Sequence, residues 1–210
     1  MTKVVSIITI ALAISGFAYA QTNNAEFLVN WKSSSLVPSF YQGKALAINL
    51  STINIGFELV KNGGLVNLSG YEIRWLVNGS LIASGIGLQS TQFTANTNLR
   101  DLVVTIIVKG FNGGDLEKAL VIPLVSPESV FEKRTGLLYA WPYFFNVKSL
   151  SNLIFNWEIN GQKTSGQVRT PNVLELTIFP TEEPFPVNAS VVIQNGSNLL
   201  ERSQSIIKYE

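Results

Sequence analysis

Apolar and polar residues alternate with a period of two along most of this chain. From residue 53 to residue 59, apolar side chains occupy every second position, in the sequence INIGFEL. The same alternation recurs at residues 26–31, 71–77, 102–109, 153–159 and 187–194. In a β-strand, a period of two places alternate side chains on opposite faces, so that one face turns towards a core. Because a helical period of useful length is absent from the sequence, the pattern predicts an all-β protein.

Two of the predicted strands carry the same motif. Tyr71–Ser80 reads YEIRWLVNGS and Leu153–Gly161 reads LIFNWEING, with the two tryptophans 82 residues apart. A ring as large as that of Trp fills the space between the two sheets of a sandwich, so Trp75 and Trp157 are predicted to be buried. The Asn-Gly pair that follows each Trp is typical of a type I′ hairpin turn.

The order of predicted elements also repeats. About thirty residues after each Trp, a second alternating run occurs, at Leu102–Lys109 and at Val187–Gln194, and each leads through an Asn-Gly pair into a last strand. This indicates a duplicated unit of roughly 90 residues, which is an ordinary size for a small domain. The prediction is two tandem β-sandwich domains, at residues 21–124 and 125–210. Pro123 and Pro127 stiffen the boundary, and little free linker is expected there.

Residues 1–20 are predicted to be a secretory signal peptide. Lys3 supplies the positive start, Val4–Ile14 the apolar stretch, and Ala18-Tyr19-Ala20 the cleavage site. The protein is therefore expected to be extracytoplasmic, whether secreted, periplasmic or at the cell surface. The alternative is an uncleaved N-terminal anchor. After cleavage we expect no stable membrane span, since no second apolar stretch approaches the length of about 20 residues that a span needs.

The composition narrows the possible partners and chemistry. The chain has 15 Lys and Arg residues and 14 Asp and Glu residues, so loss of Lys3 leaves a net charge of zero. This argues against binding to nucleic acid or anionic lipid. Charged residues make up only 14% of the chain, which favours a protein or a cell-envelope glycan as partner.

Candidate catalytic groups are few. The chain contains no His and no Cys, which removes Ser-His-Asp triads, thiol nucleophiles and His-ligated zinc. Paired carboxylates remain, as in glycoside hydrolysis, but Glu158 and Glu175 are predicted to face outwards from strands. Asp115 with Glu117 is a weak Ca²⁺ signal and is more typical of a solvated hairpin tip. The prediction is a protein without catalytic activity, cofactor or metal.

The most aromatic stretch is Leu138–Val147. If all of it is a strand, Trp141, Tyr143 and Phe145 share one face and Phe144 lies on the other. Rows of aromatic rings on β-sandwiches can stack on sugar rings, so these three residues are the predicted ligand-binding residues. The alternative is that the rings belong to the core and a domain interface, with Pro142 at a bulge or an edge.

The two motifs Trp75–Gly79 and Trp157–Gly161, with the strand spacing over residues 26–210, resemble those of bacterial immunoglobulin-like and PKD-like domains of surface proteins. The resemblance implies that the two tandem domains are immunoglobulin-like β-sandwiches and that the protein has a structural or binding role. A second alternative is a carbohydrate-binding module that uses the aromatic strand. A two-domain sandwich protein of this length with a signal peptide is also similar to a periplasmic pilus chaperone, which binds its subunits by strand donation.

Overall fold

The computed structural model describes residues 25–96, 99–176 and 186–209. The predicted signal peptide lies outside these residues. The described part of the chain forms fifteen β-strands and one 3-10 helix of three residues, Leu150–Asn152. The predicted all-β fold is therefore confirmed.

The first eight strands build two antiparallel sheets. They are β1 (Ala25–Ser33), β2 (Thr52–Lys61), β3 (Gly64–Leu65), β4 (Glu72–Val77), β5 (Ser80–Ile86), β6 (Ser90–Thr94), β7 (Asp101–Phe111) and β8 (Gly114–Pro123). One sheet has the order β1-β2-β3, with β6 also paired to β2, and the other has the order β5-β4-β7-β8. Their apolar faces enclose a first core, in which Ile53, Ile55, Phe57 and Leu59 are buried as the alternation predicts.

The remaining strands repeat this order. They are β9 (Glu128–Arg134), β10 (Leu137–Tyr143), β11 (Leu153–Ile159), β12 (Gln162–Thr164), β13 (Val173–Glu175), β14 (Val187–Asn195) and β15 (Asn198–Tyr209). One sheet has the order β13-β10-β9 and the other β12-β11-β14-β15. Each half is thus a sandwich of two sheets, with four strands in each sheet of the first half and with three and four strands in the sheets of the second half. The strand order is that of immunoglobulin-like and fibronectin-type folds. The exact domain boundaries, 21–124 and 125–210, stay a prediction.

The two tryptophans occupy equivalent places in the two cores. Trp75 and Trp157 are both buried. The indole N–H of Trp75 donates to the backbone oxygen of Leu88 at 2.9 Å, and that of Trp157 donates to the backbone oxygen of Pro171 at 2.8 Å. Each acceptor lies in the connection that leads back to the other sheet of its sandwich. A buried indole with its N–H satisfied fills the core without the cost of an unpaired donor.

The Asn-Gly turns after the two tryptophans are also equivalent. Asn78 and Asn160 have φ angles of 49° and 50°, and the following glycines both have 79°. Positive φ at both central residues defines the predicted type I′ turn. Each Asn side chain in turn accepts a hydrogen bond from a backbone N–H of the next long strand, that of Val103 at 2.9 Å and that of Asn188 at 2.8 Å.

The last Asn-Gly pair behaves differently from the prediction. Asn195 is the final residue of β14 and pairs with Asn198, so the turn falls on Gly196 and Ser197. The buried Asn195 amide donates to the backbone oxygen of Asn146 and to the carboxylate of Glu201. Asn195 is therefore held in place by its side-chain hydrogen bonds, and its backbone is not left-handed.

The connection between the sandwiches is short, as expected from its prolines. β8 ends at Pro123 and β9 begins at Glu128. Within the connection, Leu124 forms a parallel bridge with Ala47, and the N–H of Val125 donates to the Ala47 oxygen at 2.9 Å. These bonds attach the connection to the first sandwich.

The long β1–β2 connection, residues 34–51, reaches the second sandwich. Buried Ser33, Ser35 and Ser51 hold its base, since Ser33 and Ser51 are hydrogen-bonded at 3.1 Å and the Ser35 hydroxyl donates to the Leu46 oxygen at 2.6 Å. Leu36 then forms an antiparallel bridge with Phe145 and packs against the second core. One side chain of the first half thus completes the core of the second.

Candidate functional site

The outer face of β10 carries a row of aromatic side chains. Leu138, Ala140 and Pro142 of this strand are buried, whereas the alternate residues Tyr139, Trp141 and Tyr143 are partly exposed. The prediction that Trp141 and Tyr143 share a face is therefore confirmed. Tyr139 extends the row by one ring.

Phe145 does not belong to this row, so the prediction that it shares the face of Trp141 was wrong. β10 ends at Tyr143, and Phe144 has a φ of 60°. A left-handed residue interrupts the alternation that a continuous strand would keep. Phe144 and Phe145 are both buried, and Phe145 joins the second core.

Pro142 is accommodated because its part of β10 has a strand partner on one side. β9 pairs with all of β10, including Pro142 opposite Ser129, whereas β13 pairs only with Leu137–Tyr139. Proline lacks the N–H that a central strand position requires and is therefore found at edges. This agrees with the expectation of an edge position.

Two aromatic residues of the β1–β2 connection pack on the row. The ring of Phe40 meets Trp141 edge-on, with centroids 5.0 Å apart, and the ring of Tyr41 meets Tyr143 edge-on at 5.5 Å. Edge-to-face geometry is the favoured arrangement of aromatic pairs. We call the five residues Phe40, Tyr41, Tyr139, Trp141 and Tyr143 the aromatic cluster. Sequence reasoning missed Phe40 and Tyr41, whose only signal was two adjacent rings in a loop.

Polar groups flank one end of the aromatic cluster. The Trp141 indole N–H donates to Glu132 at 2.7 Å, and the same carboxylate accepts from Arg134 at 2.8 Å. The Arg134 guanidinium lies 4.6 Å from the Tyr139 ring centre, and Tyr139 stacks on Trp141 with centroids 5.6 Å apart. Cation, rings and carboxylate therefore form one connected surface.

This surface shifts the ionisation of two of its members. The hydrogen bonds from Arg134 and from Trp141 lower the pKa of Glu132, because both stabilise the charged carboxylate. Burial raises the pKa of Tyr143, and the neighbouring Tyr41 and Glu132 act in the same direction. Near neutral pH, Glu132 is charged and Tyr143 is neutral.

The geometry of the aromatic cluster supports both of the alternatives from the sequence. The ring-to-ring contacts join the β1–β2 connection to the second sandwich, as in an interface between domains. Phe40 is nevertheless 53% exposed and lies beside Trp141, where it adds apolar ring surface next to charged hydrogen-bonding groups. That combination is typical of surfaces that bind sugars or proteins.

The candidate carboxylates do not come together. Glu158 lies on β11 and Glu175 on β13, which belong to different sheets of the second sandwich. Asp115 forms an ion pair with Lys109 and accepts a hydrogen bond from the Gly110 N–H, and these bonds lower its pKa. Glu182 and Glu183, an adjacent pair of carboxylates in a Pro-rich part of the sequence, lie outside the described residues.

Over residues 25–96, 99–176 and 186–209, no group of three or more His, Cys, Asp or Glu side chains is placed to hold a metal ion. In the same ranges, no helix has the length and apolar character to cross a membrane.

Comparison with known proteins gave matches among solved structures alone. No family model and no curated protein matches the chain. The chain is similar to the fibronectin(III)-like modules of CbhA from Clostridium thermocellum, with 12% identity and a TM-score of 0.30, over 86% of this chain and 92% of that one. It is also similar to SGBP-B of the Bacteroides ovatus mixed-linkage glucan utilization locus, solved with a mixed-linkage heptasaccharide. That match has 16% identity and a TM-score of 0.27, over 90% of this chain and 47% of that one. The fold assignment rests on the strand order of the chain itself: an immunoglobulin-like, all-β sandwich protein.

Proposed function

We propose that this chain works outside the cytoplasm as a non-catalytic module whose two immunoglobulin-like sandwiches present surfaces to a protein or a cell-envelope glycan. The observation that carries the proposal is the separation of the carboxylates. Because the sequence has no His and no Cys, carboxylates are the main remaining candidates for acid–base chemistry, and Glu158 and Glu175 lie on different sheets. Paired-carboxylate hydrolysis needs both groups within about 10 Å across one bond.

The extracytoplasmic location is supported by the signal-like residues 1–20 and by the resemblance to domains of surface proteins. Export with cleavage after Ala20 would give a mature protein that begins at Gln21. N-terminal sequencing of the protein from cell fractions tests this. Recovery of the uncleaved chain from the cytoplasm alone would contradict the location.

A glycan is the second, more specific candidate for the partner. It is supported by the half-exposed ring of Phe40 beside Trp141 and by the adjacent charged groups of Glu132 and Arg134. Rings supply stacking surface for the apolar faces of sugars, and charged groups bind their hydroxyls. Of the residues predicted from the sequence, Trp141 and Tyr143 stay in this proposal, and Phe145 leaves it because it is buried.

Titration calorimetry with a panel of soluble cell-wall and plant polysaccharides tests the glycan candidate. We expect Phe40→Ala and Trp141→Ala to weaken binding at least tenfold, with the fold retained by circular dichroism. Leu200→Ala, which removes an exposed apolar side chain elsewhere in the second sandwich, is the matched control and should bind normally. Absence of binding to every glycan would reject this candidate and leave a protein partner.

The absence of catalysis has its own test. The same polysaccharides should remain intact after prolonged incubation with the protein, as measured by release of reducing ends. Hydrolysis that is lost in Glu158→Gln or in Glu175→Gln would contradict the proposal.

A further inference from the structure

The outer face of the four-stranded sheet in the first sandwich carries exposed apolar side chains at one end, although it does not line a core. Towards the other end, the row of Arg74, Ile107 and Glu117 is mixed. One row of paired residues crosses all four strands, in the order Leu81, Leu76, Thr105 and Ala119. The next row brings Val103 opposite Val121. Leu81 is 59% exposed and Val121 60% exposed. Contiguous apolar surface of this kind marks an interaction site.

The equivalent face of the second sandwich is a control within the same molecule. Its corresponding row reads Lys163, Glu158, Ser190 and Ile206. A lysine and a glutamate replace the two leucines, at the same offset from the buried Trp. The next row pairs Asn188 with Lys208, where the first sandwich pairs two valines. The fold therefore accepts charged residues at these positions, and the apolar face is not a requirement of folding.

We propose that the outer face of β5-β4-β7-β8 is occupied by a second copy of this chain, as a two-fold symmetric dimer. In the Leu76 row, the bulky side chains are Leu81 of β5 and Leu76 of β4, and the smaller ones are Thr105 of β7 and Ala119 of β8. A two-fold axis parallel to the strands, between β4 and β7, sets β5 over β8 and β4 over β7. In this row Leu81 then lies over Ala119 and Leu76 over Thr105, so each leucine meets a smaller residue.

The charges agree with the same axis. Glu72 of β4, hydrogen-bonded to Arg74 at 2.7 Å, lies in the row beside Lys109 of β7, which pairs with Asp115. The axis places Glu72 of one copy over Lys109 of the other, and the reverse. Opposite charges thus meet at one end of the face, beyond the row of Arg74 and Ile107, as in the rim of an interface. The mature chain carries no net charge, so two copies approach without long-range repulsion.

The size of the face indicates how stable the dimer is. Four strands about 4.8 Å apart, with about eight residues along each at about 3.3 Å, cover roughly 400–500 Å². A standard interface buries about 800 Å² per partner. The face is about half of that, and we infer a reversible, concentration-dependent dimer. This proposal does not depend on the aromatic cluster or on its ligand.

Sedimentation velocity of the purified protein, over a series reaching about 100 µM, tests the proposal. We expect a dimer that dissociates on dilution. Leu76→Glu and Val121→Lys, which install residues that the second sheet already tolerates at these places, should each weaken the dimer at least tenfold. Ile206→Lys makes an equivalent change on the other face, at a residue 67% exposed, and should leave the dimer unchanged.

A charge exchange tests the arrangement of the two copies. Glu72→Lys alone should weaken the dimer, and Glu72→Lys combined with Lys109→Glu should restore it to within threefold of the wild type. A wild-type monomer at every concentration would overturn the proposal and leave the face to a different protein. Equal weakening by Ile206→Lys, or no recovery in the double variant, would overturn it as well.

Discussion

The two sandwiches have equivalent interiors and different exteriors. Each encloses an indole whose N–H bonds a backbone oxygen, and each follows that Trp with an Asn-Gly turn of the same backbone geometry. Outside, Leu76 occupies the place that Glu158 has in the second sandwich, and Leu81 the place of Lys163. The core constrains inward residues through close packing, whereas outward residues are free to follow function. A difference between equivalent outward positions of the two sandwiches is therefore not explained by the demands of the core.

Loss of either indole should have the largest effect on stability. We expect Trp75→Ala and Trp157→Ala each to lower the free energy of unfolding by about 3–5 kcal/mol, because each leaves a large cavity. Urea unfolding followed by circular dichroism measures this. Trp→Phe at the same positions retains most of the ring volume and should cost less. An effect confined to one sandwich would break the equivalence of the two interiors.

Glu201 sharpens the comparison, because it is the one buried carboxylate among the described residues and belongs to the second sandwich. It accepts from the Asn195 amide at 3.1 Å and from the Asn146 N–H. Glu201→Ala should lower the free energy of unfolding by about 1–3 kcal/mol, since it leaves buried donors unpaired. Arg202→Ala, at the exposed neighbouring residue, is the control for chemical denaturation. A change of less than about half a kcal/mol, well below the range expected for a lost buried hydrogen bond, would show that the hydrogen bonds of Glu201 do not stabilise the second sandwich.

Substitutions in the Asn-Gly turns should have the next largest effect on the free energy of unfolding. Asn78→Ala and Asn160→Ala each place in the left-handed region a residue that tolerates positive φ less well than Asn, and each removes the side-chain acceptor for the next strand. We expect a loss of about 1–2 kcal/mol in each sandwich. Asn→Asp keeps the acceptor oxygen and tolerates positive φ, so it should be milder. Thermal unfolding of the two Ala variants side by side gives the comparison, and a clear inequality would contradict equivalent turns.

The smallest expected effect is on pH dependence. The pKa of Glu132 lies below its ordinary value of 4.5. The contribution of the charged carboxylate to stability is therefore fully present above that pH, and it is lost as the pH falls through the lowered pKa. Protonation removes the charge that accepts the Trp141 N–H. The fluorescence difference between the wild type and Trp141→Phe should therefore change below about pH 4.5. Glu132→Gln should abolish this change, and a transition that persists in it would assign the titration to another group.

Period-two alternation predicted most strands, because residues that face the core are apolar and the residues between them face solvent. Ile53, Leu59, Trp75 and Trp157 are buried where the pattern places them. The pattern did not predict β9, whose exposed and partly exposed residues carry a weaker signal. It also placed Phe145 on the wrong face. Alternation assumes a continuous strand, whereas the positive φ of Phe144 interrupts the strand before Phe145.

The aromatic cluster was predictable in part for a similar reason. Trp141 and Tyr143 lie on one strand, so their common face follows from local geometry. Phe40 and Tyr41 reach them from about a hundred residues away in sequence, through a connection held by buried serines. Contacts of that separation leave no periodic trace in a single sequence.

The placement of Leu36 makes the second core depend on a residue of the first half. During synthesis, Leu36 leaves the ribosome before the strands of the second sandwich against which it packs. The connection that carries it is hydrogen-bonded to the first sandwich. The later half closes its interior onto a piece supplied by the earlier one. A fragment that contains only the residues after the proline boundary would therefore lack Leu36 against its core. When the protein is divided into halves, residues 34–46 should be kept with the second sandwich.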